Sequence, residues 1–191
     1  MDVRKRYDIH FKGLGAGEHR FSFDIDDKFF AAFEASEIRG GEAVADVVLT
    51  KTGSLMTLDF TIKGYAAVEC DRCLEECRLP VDYRETLNVR FSDRIADSEG
   101  EYDGEVLWMN TSESVINVAQ YIYESIVLSL PYQRVHPDGP DGKPGCNPEM
   151  LERFSIVSEE EFEQLAAEPE MQKMAENPEW EKLRKLKEQM E

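Results

Sequence analysis

Positive charge is what this chain has least of. Its 191 residues carry 22 Lys+Arg against 40 Asp+Glu, a net charge of −18 and an isoelectric point near 4.6. Broad nucleic-acid grip requires Lys and Arg at phosphates, so the composition excludes that mode over most of the surface. The deficit is uneven. Residues 1–90 hold 13 cations against 17 acids (−4), and residues 91–191 hold 9 against 23 (−14). Direct RNA contact is therefore confined to a local patch in the first half, where Arg4, Lys5, Arg6, Lys12 and Arg20 cluster. Ordinary solvated strand residues are the preferred account of those five. The acidity itself has a plain reading, solubility, and a sharper one, attraction of a basic partner protein.

Long apolar runs are missing too. The greasiest stretch, Val118 to Leu130, is interrupted by Gln120, Glu124 and Ser125, well short of the roughly 20 apolar residues of a membrane span. Arg4, Lys5 and Arg6 are not followed by an apolar segment, which argues against a signal peptide and predicts a cytoplasmic protein without membrane contact. Catalytic signatures are also lacking. Gly13, Gly15 and Gly17 run into a strand pattern, not a helix, and no Lys-Ser/Thr follows them, so they are no phosphate loop. There is no G-x-S-x-G, and no pair of acids sits in an apolar setting, leaving neither a nucleophile elbow nor an acid/base couple. The expectation is a non-enzymatic protein.

What is present suffices for one sizeable core: 41% of residues are hydrophobic and 32% charged. The first half is β-rich. Strand patterns fall at Val3–Phe11 and at His19–Asp26, where Phe21, Phe23 and Ile25 alternate with polar residues. Asp26 or Asp27 is placed to cap a short helix through Phe29, Phe30 and Phe33. Ala43–Lys51 and Leu55–Lys63 read as a hairpin turning at Thr52–Ser54, and Tyr65–Cys70 with Arg78–Phe91 as a further pair flanking a cysteine-bearing turn. Residues 92–105, with six acids and two glycines, read as a surface loop, and Val106–Met109 as a short strand. Asn117 with Gln120 suggests a capping box opening a helix whose Val118, Ile122, Ile126 and Leu130 form an apolar stripe, ended by Pro131. Phe29, Phe30, Phe33 and Trp108 read as core, since stacking platforms for single strands come with a basic groove.

The predicted fold is α+β: a curved antiparallel β-sheet over residues 1–109, barrel-like at the limit, with one packed amphipathic helix. Residues 1–150 form the β-rich domain and 151–191 an acidic helical tail. In the tail, Ser158 with Glu161 and Asn177 with Pro178 mark helix starts, and Leu183, Leu186 and Met190 share a face.

The chemistry-bearing residues are four cysteines. Cys70-x-x-Cys73 lies between two strand patterns. Such a turn points two sulfurs at one centre and supplies half of a tetrahedral zinc site. His136 and Cys146 lie in a Pro/Gly-rich loop without another anchor, and a metal would fix that loop to the sheet. Cys77 is spare. A thioredoxin-type pair would sit at a helix N-terminus after a strand. Here the setting is a hairpin, and Glu69, Asp71, Glu75 and Glu76 are expected to raise the thiol pKa. A structural zinc ion and four reduced, unliganded cysteines both remain open on the residues alone, with thiol redox below either. His10 and His19 read as surface or structural residues.

Two strings then point to a family. Cys70-Asp71-Arg72-Cys73-Leu74-Glu75 resembles the C-x-R-C-L-E signature of the YceD family, the large ribosomal RNA subunit accumulation proteins. Glu124–Pro131 is similar to its second block, an acidic helix end running into Leu-x-Leu-Pro. His136 and Cys146 fall where the family places further His or Cys residues. This chain departs from the many relatives that carry a second C-x-x-C there. The resemblance implies a non-enzymatic role in ribosome biogenesis, and the acid excess of the second half then makes a basic ribosomal or assembly protein the expected partner. A zinc-binding adaptor with a non-ribosomal partner and a thiol-redox protein are the rivals.

Overall fold

Period-2 patterning becomes strands, and the strands stack on one apolar face. A computed structural model describes residues 3–34, 36–53, 55–95, 101–102, 106–139, 142 and 145–153. The elements run β1 (Asp8–His10), β2 (Gly17–Ile25), α1 (Asp27–Phe30), β3 (Gly40–Thr52), β4 (Leu55–Glu69), β5 (Glu76–Phe91), β6 (Glu101–Tyr102), β7 (Val106–Met109), β8 (Val115–Asn117), α2 (Ala119–Ser129) and α3 (Pro148–Arg153), with a 3-10 turn over Val3–Tyr7. The chain divides into two units, Met1–Asn147 and Pro148–Glu191. Of the second, only α3 is described. The tail helices expected beyond it lie outside the described residues, as do the central part of the 92–105 loop and the turn residue Ser54.

The fold is α+β, mostly strand. Six strands lie in the order β2-β3-β4-β5-β7-β6, and β1 pairs with β8 in a separate two-stranded ribbon. The sheet is therefore open, with β2 and β6 at its edges, and the barrel expectation is corrected. The strand that could have closed it is diverted. Arg4, Lys5 and Arg6 break the alternation, the chain takes a 3-10 turn, and only Asp8–His10 remains extended, its Ile9 opposite Ile116 of β8. The sheet is also not wholly antiparallel. After β5 the chain skips one place, and β7 returns between β5 and β6, running parallel to β5 (Asn88 opposite Val106) and antiparallel to β6.

The inner face of the sheet carries the core. Ala45, Val47 and Leu49 of β3 and Leu58, Phe60 and Ile62 of β4 are buried, and their registered neighbours Asp46 and Asp59 are exposed. Burying each large side chain stabilises the fold by about 1.5–3 kcal/mol. β4 is a single 15-residue strand where the sequence suggested two. Continuity depends on Gly64, where a Cβ would fall on the Glu42 carbonyl and the Ala43 Cα. Against this face packs α2, with Ala119, Ile122 and Ile126 buried and Tyr121 in ring contact with Phe60 at 4.6 Å. Phe33 stacks on Tyr123 at 4.1 Å.

Local signals mostly hold. Asp26 caps α1, its carboxylate accepting the Phe29 N–H at 3.0 Å. The capping box at α2 does not form. Asn117 belongs to β8 and its Oδ1 accepts from the Ala119 N–H at 3.0 Å, while Gln120 donates to Glu124 at 2.6 Å. The side chain that would have reached back is held forward by its own helix neighbour.

Candidate metal centre

The site begins where β4 ends. Residues Cys70–Cys73 make a tight turn closed by the Leu74 N–H on the Cys70 carbonyl (2.9 Å) and the Cys70 N–H on the Glu75 carbonyl (2.8 Å). Leu74 pays for the reversal with φ = 61°, a left-handed conformation uncommon in a residue other than Gly, Asn or Asp. The turn buries both sulfurs and leaves Leu74 half exposed.

A second segment is strapped across it. The Asp71 N–H donates to the Arg134 carbonyl at 2.8 Å, and the Arg134 N–H donates back to Asp71 Oδ2 at 2.7 Å. Arg134 also pairs with Glu37 at 2.6 Å. Two residues on, His136 presents Nδ1 to Cys73 Sγ at 3.5 Å, and its Nε2 lies 3.0 Å from the Glu76 carbonyl. With Nε2–H donated to that carbonyl, Nδ1 carries the lone pair. This is how ligating imidazoles are fixed. The same segment returns with Cys146, whose Sγ is 3.7 Å from that of Cys70, and Asn147 ties the return to Glu75 at 2.7 Å. Gly145 permits the return, because a Cβ there would come within 2.5 Å of the Pro137 carbonyl and 3.3 Å of His136 Cβ.

Cys70, Cys73, His136 and Cys146 thus offer three sulfurs and one nitrogen within 4.8 Å of one another. A tetrahedral centre with about 2.3 Å to sulfur and about 2.0–2.1 Å to nitrogen has S–S edges of about 3.8 Å and S–N edges of about 3.5 Å. The 3.7 and 3.5 Å separations match those edges, so the residues fit a thiolate-rich metal site. Cys77, His10 and His19 are outside the group. Cys77 is buried, His10 is exposed on β1, and His19 lies 3.0 Å from the Gly15 carbonyl.

The electrostatics correct one expectation. Neighbouring acids were expected to raise the thiol of the C-x-x-C pair. Burial does push Cys70 up, but the backbone N–H groups of Cys73, Arg72 and His136, with the His136 ring, outweigh it and bring the thiol down to about 6. At Cys70 the N–H donors aimed at the sulfur dominate, and no acid is among the causes. Cys146 moves the other way, to about 11, through burial and then the neighbouring Cys70 and Cys73. Burial, followed by Cys70, Cys73 and Asp71, also raises Cys77. The sequence singled out all four ligand candidates. It missed the brace formed by Asp71, Arg134, Glu76 and Asn147, for which the only signals were an Asp inside the C-x-x-C step and an Asn beside Cys146.

Three of the cations named as a local patch have partners within the chain. Arg4 donates to the Ala32 carbonyl at 2.7 Å and lies over the Phe33 ring, Lys12 donates to the Ser112 carbonyl at 3.1 Å, and Arg20 sits beside Glu18 on β2.

The geometry defines a class: a β-rich α+β protein whose sheet turn and distal loop converge on a candidate three-cysteine, one-histidine metal centre. Residues 58–187 match the family model described as large ribosomal RNA subunit accumulation protein YceD, so the chain belongs to the YceD family. No curated protein and no solved structure matches the chain. Among the described residues, no helix is long and apolar enough to cross a membrane.

Proposed function

We propose that this protein is a non-enzymatic, cytoplasmic ribosome-biogenesis factor. It supports accumulation of large-subunit rRNA by binding a basic ribosomal or assembly protein. Membership of the YceD family carries this reading. The net charge of −18 favours a basic protein over RNA as the contacted molecule, and Arg4 and Lys12 donate to carbonyls of their own chain.

The metal centre is structural in this scheme and holds zinc. Three sulfurs and an imidazole are a donor set that zinc accepts with no open position for a substrate. Cys70, Cys73, His136 and Cys146 would hold it, and the result would tie His136 and Cys146 to the turn after β4. The Cys70 thiol, brought down to about 6, suits both a metal thiolate and the thiol-redox rival, but burial of all four cysteines speaks against the latter, because a redox sulfur must be reached by its partner.

The test is native sedimentation of the protein with ribosomal precursors, then recovery of its partners with and without RNase. Co-sedimentation with large-subunit precursors and a basic protein partner that survives RNase are expected. Loss of every partner on RNase treatment would overturn the choice of a protein contact, and absence from all ribosomal particles would overturn the ribosomal role.

A further inference from the structure

β5 is paired along its whole length with β4, from Glu76 to Arg90, but on its other side only Asn88–Phe91 meet a strand, β7. Among the described residues, no strand covers that side from Glu76 to Leu87. In a strand, successive residues point their N–H and C=O groups to opposite sides. Several observations fix which residues point to the open side. The Glu76 carbonyl is taken there by His136, the Thr86 N–H is turned to Glu85 Oε1 at 3.2 Å, and the Ser92 N–H meets the Met109 carbonyl of β7 at 2.9 Å. The Glu75 carbonyl, by contrast, receives the Cys70 N–H from the β4 side. Even-numbered residues therefore face outward. Pro80, which has no N–H to give, falls on that outward side, as edge strands require, and Asp82 and Arg84 follow it.

Beside this edge runs a groove of about 780 Å³ between β5 and α2. Glu85 projects into it from the core-side face of the sheet, Glu124 faces it from α2, and among the described residues no Lys, Arg or His lines it. Its apolar wall includes Leu107, Ile116 and Leu128, the last 76% exposed. An open strand edge flanked by a helix is the geometry by which proteins take up an extended peptide as an added strand. We propose that the Asp82–Thr86 edge of β5 and the adjoining groove bind an extended basic segment of a partner protein by β-strand addition. Its backbone pairs with Asp82 and Arg84, and its long cationic side chains lie along Leu128 with their charges at Glu85 and Glu124. This rests on the basic-partner reading above and names the surface that would serve it. Cationic side chains suit such a wall because their stems are apolar and their heads charged. The Arg84 side chain points to the opposite face of the sheet and does not oppose the ligand's charge in the groove.

The test uses the full chain, loaded with zinc, and a ten-residue alternating Lys-Val peptide. Amide hydrogen exchange and chemical shifts are followed by NMR. The Asp82 and Arg84 amides are expected to become protected on adding peptide. Binding is expected to fall about tenfold or more in Glu85→Lys/Glu124→Lys, and to be lost with a peptide N-methylated at alternate residues. Arg84→Pro, which removes an N–H that the β4 ladder does not use, gives a second route to the same loss. Three results would overturn the proposal: no protection at Asp82 and Arg84, binding indifferent to N-methylation, or protection of these amides before peptide is added. Comparing two protein concentrations assigns the last result to a second copy or to the chain's own tail. Failure here with a basic partner still recovered from cells leaves the proposed function standing. Success here with no ribosomal association overturns that function and leaves the surface.

Discussion

Replacing Cys146 by Ser should separate the two accounts of the cysteines, a zinc site and four thiols without a ligand. The links it would break are long: Cys70 and Cys146 are 76 residues apart and Cys73 and His136 are 63. Treating the metal as a cross-link that closes such a loop in the unfolded chain gives a stabilisation of about 4 kcal/mol from lost chain entropy. For a unit near 150 residues, each kcal/mol moves the melting temperature by about 2–4 °C. Loss of the link should therefore lower Tm by about 8–16 °C, and chelation of the wild type should give a fall of the same size. The sheet would survive, since its core lies on β3, β4 and α2 and none of that packing passes through the metal. This differs from zinc fingers that unfold without metal. Metal analysis of protein purified under reducing conditions should find one zinc per chain in the wild type, and calorimetry should show the shift. A wild type without metal, with Tm unmoved by either chelator or Cys146→Ser, would refute the metal centre.

Other consequences can be checked separately. Cys77→Ala should keep its zinc, because Cys77 lies outside the ligand group although buried, and should lose only about 1–2 kcal/mol of packing in denaturant titration. Gly145→Ala should weaken zinc affinity, by about tenfold in a competition assay, because its Cβ crowds the Pro137 carbonyl and His136. Gly64→Ala should cost about 3 kcal/mol or more, since the new methyl meets β3 backbone, with aggregation or a lowered unfolding midpoint as readout. Tyr7 is raised to about 12 by burial and then by Asp26, and its hydroxyl donates to the Asp24 carbonyl at 2.9 Å. A raised folded pKa means stability that is whole below pH 10 and lost as pH climbs through 12, by about 2–3 kcal/mol. Tyr7→Phe should flatten that alkaline loss in an unfolding series.

Legibility differed by how local each signal was. The Thr52–Gly53 hairpin, the Asp26 cap and the α2 stripe are written in neighbouring residues, and the structure carries all three. The open edge of the sheet was not legible, because it depends on where Asp8–His10 finds its partner. That partner is Val115–Asn117, over a hundred positions away in the chain. The parallel β5–β7 pairing is likewise a matter of topology, and a four-residue strand carries no mark of its direction. For the metal centre, Cys70, Cys73, His136 and Cys146 could be named because so few residues of those types exist. The lowered Cys70 thiol could not be read, because its larger causes are three backbone N–H groups, ahead of the His136 ring, and every residue but proline has such a group. Sequence reveals donors that are side chains and hides donors that are main chain.

β5 gathers the features that matter. At its start, the Glu76 carbonyl orients His136. At its end, Asn88–Phe91 receive β7. Between them, among the described residues, no strand pairs with its outward side. Exposed edges of this length invite self-association, and this one is blunted by Pro80 at its centre and by the charges of Asp82 and Arg84 on either side of Tyr83. Blunting of this kind rejects a second flat apolar strand and leaves room for one that brings opposite charge to Glu85 and Glu124. On the proposed reading, the acidity that disfavours a broad grip on RNA serves, at this edge, to choose a partner.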